Sequence, residues 1–293
     1  DGVVLAESFL PEVARVLGQE RREPFFLFLH FLQPHEPYVP PPPFLGHYGE
    51  LSGSAAEVGA RLRALLTKPV AALSQEERRY VLDRYDENVR YADRQVGRLL
   101  ALLRQLGHEA NTAVVLTADH GEELFEHGGS THGVHLYEEL VHVRLIVRVP
   151  GVPARRIEAL VESVDIASTI LEIAGVSQPL GAGRSLLPLM QKGSHGARTS
   201  VFASLTSGAA MIRTDRHKLI RHSSDLWELY DVVDDPDERA NMASKNPEMV
   251  ERLAARLHGW LRAGAALSVP VSEPQLDDEM VERLRALGYV GVP

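Results

Sequence analysis

Asp119 and His120 are neighbouring metal-capable side chains at the abrupt end of an apolar, β-branched run, 112–118, and Gly121 follows them. Such a run reads as a buried parallel strand, and in open α/β sheets ligands bind beyond the carboxyl ends of the strands. A carboxylate and an imidazole placed there make a partial site for a divalent cation. An Asp at a strand end also serves in many proteins only to cap the next turn. His120, His127, His132, His135 and His142 crowd one short stretch together with Glu122, Glu123 and Glu126. Glycines in 126–133 would let imidazoles approach a bound anion without crowding, and histidine near neutral pH passes protons to leaving groups. A further candidate, His35, lies in Gln33-Pro34-His35-Glu36-Pro37-Tyr38, where prolines exclude helix and keep the chain extended. His35 and His132 are the candidates for substrate contact. His108, His195, His217, His222 and His258 read as solvated surface groups, and His142 as a packed or surface residue.

Elements are needed to hold these side chains. Apolar spacing predicts a helix over 5–17, and the run 25–32 reads as a strand apolar on both faces, followed by the proline-rich loop. Residues 46–74 read as a surface excursion. Ser74, with Glu77 three residues on, signals a capping box opening a long helix to about 106, which Gly107 ends. Leu82, Tyr85, Val89, Val96, Leu99, Leu100 and Leu103 form its apolar stripe. The 112–118 strand comes next, then a strand over 143–149 and a helix over 166–174. Strand–helix–strand order predicts right-handed crossovers in a mostly parallel sheet flanked by helices. From about 198 the pattern changes: 201–205, 209–213, 218–221 and 228–230 read as a short antiparallel sheet, with helices over 247–263 and 277–287. The expected organisation is therefore an α/β domain over 1–195 and a smaller α+β subdomain over 196–293.

Composition excludes several classes. The chain of 293 residues carries 31 basic and 40 acidic side chains, a net charge of -9, and no basic stripe, so nucleic acid is not an expected partner. It has no cysteine, which rules out a Cys nucleophile, thiolate metal sites and disulfides within it. No apolar run is long enough to span a bilayer, and no membrane contact is expected. The chain begins at Asp1 rather than Met, so the lack of a signal peptide carries no information.

Residues 24–31 are followed by Pro34-His35-Glu36-Pro37-Tyr38, the stretch 85–93, Leu116-Thr117-Ala118-Asp119-His120-Gly121-Glu122, Glu126-His127-Gly128, His132-Gly133 and Leu136-Tyr137-Glu138-Glu139. Later echoes are Asp165-Ile166, Gly183-Arg184-Ser185-Leu186, 217–220 and Glu228-Leu229-Tyr230-Asp231. In this order the motifs resemble the C-terminal portion of a sulfatase of the alkaline phosphatase superfamily. The resemblance implies an alkaline phosphatase-like α/β fold. It also implies Asp119 and His120 as metal ligands, His35 in contact with the sulfate or phosphate group, and His132 as general acid where relatives commonly have Lys. The cation it implies is Ca²⁺, with Mg²⁺ or Mn²⁺ as alternatives. Relatives also carry a paired-acid metal motif and Cys-or-Ser-x-Pro-x-Arg, the source of formylglycine. Neither is in this sequence, so both are expected upstream of Asp1. The leading expectation is a sulfuric ester hydrolase acting on a sulfate-ester small molecule or glycan. The alternatives are phosphoryl chemistry on the same scaffold (a phosphoglycerol transferase, or a phosphodiester or phosphonate hydrolase) and a non-catalytic, partner-binding chain. Many relatives are exported, which makes a periplasmic or extracellular location the family expectation. By itself the chain is expected to be inactive, to bind metal weakly and to self-associate through an exposed sheet edge.

Overall fold

The computed structural model describes residues 5–19, 24–49, 51–176, 181–192, 197–267 and 281. In chain order its elements are α1 (Phe9–Leu17), α2 (Ala55–Leu66), α3 (Gln75–Gln105), β1 (Val114–Thr117), β2 (Glu123–Leu124), β3 (Ser130–Thr131), α4 (Glu138–Val141) and β4 (Leu145–Arg148). They continue with α5 (Val164–Ile173), α6 (Leu187–Lys192), β5 (Val201–Ser204), β6 (Ala210–Arg213), β7 (His217–Arg221), β8 (Trp227–Asp231) and α7 (Pro247–Leu267). The described residues fall into two compact units, 5–111 with 128–130, and 112–127 with 131–267. The expected helix over 277–287 lies outside the described residues. Among the described residues no helix is long and apolar enough to cross a membrane.

The first unit is helical. Ser74 opens α3 as a full capping box: its side chain accepts from the Glu77 backbone N–H, and the Glu77 carboxylate accepts from the Ser74 backbone N–H. Ser74→Ala is therefore expected to cost about 1 kcal/mol, read as a shift of the denaturation midpoint. Ser54 and Glu57 build the same box on α2, an element the reading of 46–74 as a surface excursion missed although Ser-x-x-Glu was there to be seen. The buried face of α3 is mixed: Val81, Tyr91 and Leu103 are buried, Leu103 as the expected apolar stripe has it, but Arg84, Glu87, Asn88 and Gln95 are almost wholly covered too, and Val89 of that stripe is exposed. Hydrogen bonding explains the buried polar residues. Glu87 accepts from the backbone N–H of Gly46 (3.1 Å) and Tyr48 (2.7 Å), Arg84 donates to the Tyr48 carbonyl and to Glu87, and Asn88 donates to the His35 carbonyl (3.3 Å). Buried polar side chains of α3 thus hold the backbone of residues 46–48 and of His35 through these hydrogen bonds.

Residues 25–32 form no strand in the described structure, and Phe26 and Phe28 are 73% and 74% exposed. A ladder needs a neighbour, and hydrophobic pattern alone does not supply one. In the second unit β1 does form where expected, but it pairs antiparallel with β4, Val115 opposite Val147 and Leu116 opposite Ile146. All pairings in the registers of β1 with β4 and of β5–β8 are antiparallel, and the parallel pairing expected of the sheet is not among them. Leu116 and Ile146 remain exposed on this two-stranded sheet.

The rest of the second unit follows its pattern closely. β5, β6, β7 and β8 form an antiparallel meander in sequence order. Period-two alternation splits its residues between two faces. Ala210, Ile212, Leu219 and Leu229 pack with Leu253 and Leu257 of α7. Ala209, Met211, Ile220 and Tyr230 pack with Leu136 and Tyr137 on the other side. The later motifs also find their reason here. The buried Asp165 carboxylate accepts from the backbone N–H of Glu162 (2.9 Å) and Arg184 (2.7 Å) and from the Arg198 guanidinium. Burial pulls that carboxyl upward, but Arg198 and the two N–H groups outweigh it and hold it below the usual aspartate range. Gly183 is required because a Cβ would meet the Val164 carbonyl oxygen at 2.3 Å.

Candidate functional site

β1 delivers Asp119 and His120 two and three residues beyond its end. Gly121 then docks on the end of α4: its N–H donates to the Leu140 carbonyl (2.8 Å), and a Cβ there would lie 1.8 Å from the Glu139 carbonyl oxygen. The turn therefore admits only glycine. It also orients the imidazole before it, since His120 Nδ1 lies 2.8 Å from the Gly121 carbonyl oxygen. A carbonyl can only accept, so Nδ1 carries the proton and the ring presents its lone pair at Nε2, the tautomer a metal ligand needs. Nε2 lies 3.8 Å from Asp119 Oδ2, and the Asp119 side chain is 61% exposed. These two donors fit one edge of a coordination shell in which carboxylate and imidazole share a cation. Among the described residues no group of three His, Cys, Asp or Glu side chains is placed to hold a metal ion.

His132 is brought to this pair. Its ring stacks on that of His120, centroids 4.0 Å apart at 26°. Its Nδ1 lies 3.0 Å from Glu122 Oε1, and the Glu122 side chain is only 6% exposed. The sequence reading missed Glu122, which no local signal separates from Glu123 and Glu126. The fold separates the three: Glu123 accepts from the His127 backbone N–H and Glu126 from that of Leu124, while only Glu122 pairs with His132. His127 is removed from the candidates, because Nδ1 pairs with Glu139 (2.6 Å), Nε2 meets the Glu238 carbonyl (3.2 Å) and the ring stacks on Tyr137 at 3.6 Å. Tyr137 itself donates to Glu228 (2.9 Å), and burial together with that negative charge pushes its phenol well above the usual tyrosine range. It is a packing group with a fixed proton. His142 pairs with Glu138 on the surface.

His35 belongs to the first unit. Its backbone N–H donates to the Leu32 carbonyl (2.8 Å), its carbonyl accepts from Asn88, and Nδ1 lies 2.8 Å from the Glu36 carbonyl oxygen. As with His120, that contact puts the proton on Nδ1 of the neutral ring. Hydrogen bonds to a helix thus set the His35 loop, in addition to its prolines.

Comparison with known proteins adds the lineage. The family model Sulfatase matches residues 2–176, and the model N-sulphoglucosamine sulphohydrolase, C-terminal, matches residues 126–264. Arylsulfatase K of Canis lupus familiaris is 35% identical over 182 residues, which is 56% of this chain and 34% of that protein. The chain spans about a third of the length of that relative. The crystal structure of phosphonate monoester hydrolase of Agrobacterium radiobacter shares the fold with a TM-score of 0.71, at 23% identity over 88% of this chain and 60% of that one. A structure solved in complex with its substrate D-glucosamine-2-N,6-O-disulfate is 28% identical with a TM-score of 0.57, covering 71% of this chain and 45% of that one.

Proposed function

This chain belongs to the sulfatase family, and on that premise we propose that it supplies the leaving-group side and part of the metal shell of a sulfuric ester hydrolase. The observation that carries the reading is the constellation of Asp119, His120 and His132 gathered at the end of β1. Asp119 and Nε2 of His120 would hold a divalent cation, Ca²⁺ by family preference, with Mg²⁺ or Mn²⁺ as alternatives. When bound, that cation supplies positive charge where the non-bridging ester oxygens gather negative charge. His132 hands a proton from Nε2 to the bridging oxygen as the ester bond breaks. The family resemblance gives His35 the role of contacting the sulfate group. The nucleophile, formylglycine on this reading, is contributed from outside this chain, because the sequence holds no Cys-or-Ser-x-Pro-x-Arg from which it could be made. The relative solved with a disulfated glucosamine supports a sulfated sugar as substrate.

The test is an assay of the whole protein that contains this chain on an aryl sulfate and an aryl phosphonate, with and without chelator. Sulfate hydrolysis that chelator abolishes, and that His132→Ala lowers by about 10²–10⁴-fold, is the expected result. Preference for the phosphonate would shift the assignment to phosphoryl chemistry. No turnover of either ester with metal present would leave a non-catalytic role. By calorimetry the isolated chain is expected to bind Ca²⁺ only weakly, because two donors fall short of the six to eight that Ca²⁺ takes.

A further inference from the structure

We infer that Glu122 is the positioning residue of His132, forming with it a carboxylate–imidazole pair that does the work of a proton-donating side chain at this place. The inference rests on the function proposed above, with His132 as the acid. Three observations carry it. Glu122 Oε1 lies 3.0 Å from His132 Nδ1, and a carboxylate there accepts the Nδ1–H. The Glu122 side chain is 6% exposed and that of His132 24%, so the bond is shielded on the carboxylate side and open on the imidazole side. The His132 ring is held across its face by His120, 4.0 Å away. One edge and one face of the imidazole are therefore fixed.

The chemistry follows from the two nitrogens. An imidazole can give up a proton from either one, and only the one nearest the departing oxygen is useful. With Nδ1–H held by Glu122, the ring takes up a second proton from solvent at Nε2, and that proton of the imidazolium, on the opposite side of the ring, is the one that leaves. It passes to the ester's bridging oxygen, which keeps the electron pair of the broken bond. The imidazole is left neutral, still donating its Nδ1–H to Glu122. An ammonium side chain would need no such partner, since all its protons are equivalent. A histidine in its place does, and Glu122 is that partner. The buried carboxylate also accounts for the Glu-Glu sequence at 122–123, whose two members face different groups.

Two measurements test the pair. The first is made on the whole protein that contains this chain: nitrogen-15 NMR of the His132 ring in the wild type, Glu122→Leu and Glu122→Gln. The wild type is expected to show the neutral ring protonated at Nδ1. Glu122→Gln retains an acceptor oxygen and keeps that signature, and Glu122→Leu loses it in favour of a tautomer mixture. An unchanged signature in Glu122→Leu would overturn the pairing, whatever the activity of the whole protein. The second uses the whole protein with sulfate esters of a good and a poor leaving group. Glu122→Leu is expected to lower kcat about 10–100-fold on the alkyl ester and less than about threefold on the nitrophenyl ester, because only the former needs the proton. An equal loss on both would make Glu122 merely structural. Failure of the wild type on both esters would remove the proposed function while leaving the NMR result standing.

Discussion

Lys218→Met is expected to destabilise the second unit by about 3–5 kcal/mol, the usual cost of removing one partner from a buried ion pair. Lys218 is fully buried on β7, on the face shared with Ile220. Its ammonium lies 3.2 Å from Glu138 Oε1 and 3.0 Å from Glu238 Oε1, and Glu238 is as buried as the lysine. Glu238 also accepts from the Glu138 backbone N–H at the start of α4 (2.6 Å). Methionine fills the space of the lysine stem but leaves two neighbouring carboxylates, with Arg213 and His142 beside Glu138. The loss should appear in denaturant melts as a lower midpoint with unchanged slope. A second change, Glu238→Leu on Lys218→Met, should recover much of it, since apolar replacement of a whole buried pair is often close to neutral. A single-variant cost under about 1 kcal/mol would mean that the lysine is not the counter-ion the geometry makes it.

The same cluster sets a pH dependence whose sign differs between its two acids. Burial pulls Glu138 upward, but His142, Lys218 and Arg213 together take its carboxyl down to about 2. Its folded value is thus below the unfolded one, about 4.3. Its contribution is present above that unfolded value and is lost as pH falls toward 2. Burial wins at Glu238, whose carboxyl is raised against the pull of Lys218. A raised acid disfavours the folded state at neutral pH and is relieved by protonation, so it offsets part of the acid loss from Glu138. In Lys218→Met both carboxyls lose their shared cation and both rise. The gap in stability between variant and wild type should therefore narrow as pH falls from 7 to 4.

What was legible in the sequence is what local pattern determines. Short runs in 201–230 marked all four strands of the meander, whose two faces both meet a core. Ser74 and Glu77 marked a helix start because a cap is a local hydrogen-bond exchange. Asp119, His120 and His132 could be nominated because their types are few and their setting unusual. What failed was non-local. The 25–32 run has the composition of a strand, but pairing depends on a partner that composition does not name. The inner face of α3 includes Arg84 and Glu87 because it meets the backbone of residues 46–48, a contact between segments about 40 residues apart. Glu122 and Glu123 differ in nothing a sequence shows, yet one pairs with an imidazole ten residues on and the other with a backbone N–H four residues on.

Gly121→Ala is expected to damage stability and function together, because one backbone contact serves both. The added Cβ would sit 1.8 Å from the Glu139 carbonyl oxygen, 2.9 Å from its carbon and 3.2 Å from Leu140 Cα. All three are backbone atoms, so no side chain can rotate out of the way, and either the turn after β1 or α4 must move. Overpacking of this kind costs about 1–3 kcal/mol, and the 2.8 Å bond from Gly121 N–H to Leu140 is strained with it. Moving the turn also moves the Gly121 carbonyl that fixes His120 Nδ1. Nε2 then loses its aim, and displacement of a reacting group by about 1 Å is enough for a loss of about 100-fold in turnover. Gly259→Ala is the matched control. It lies inside α7 with nothing within 4 Å of the added Cβ, so the same substitution should stabilise by about 0.5–1 kcal/mol. Thermal melts of the two variants, with hydrolysis measured on the whole protein, separate the effects. If Gly121→Ala melts like Gly259→Ala and retains activity, the turn does not dock on α4 and His120 is not held by it. If it melts low and is inactive, the glycine after Asp119 and His120 is there for steric reasons, to let a helix end close against the turn that aims an imidazole.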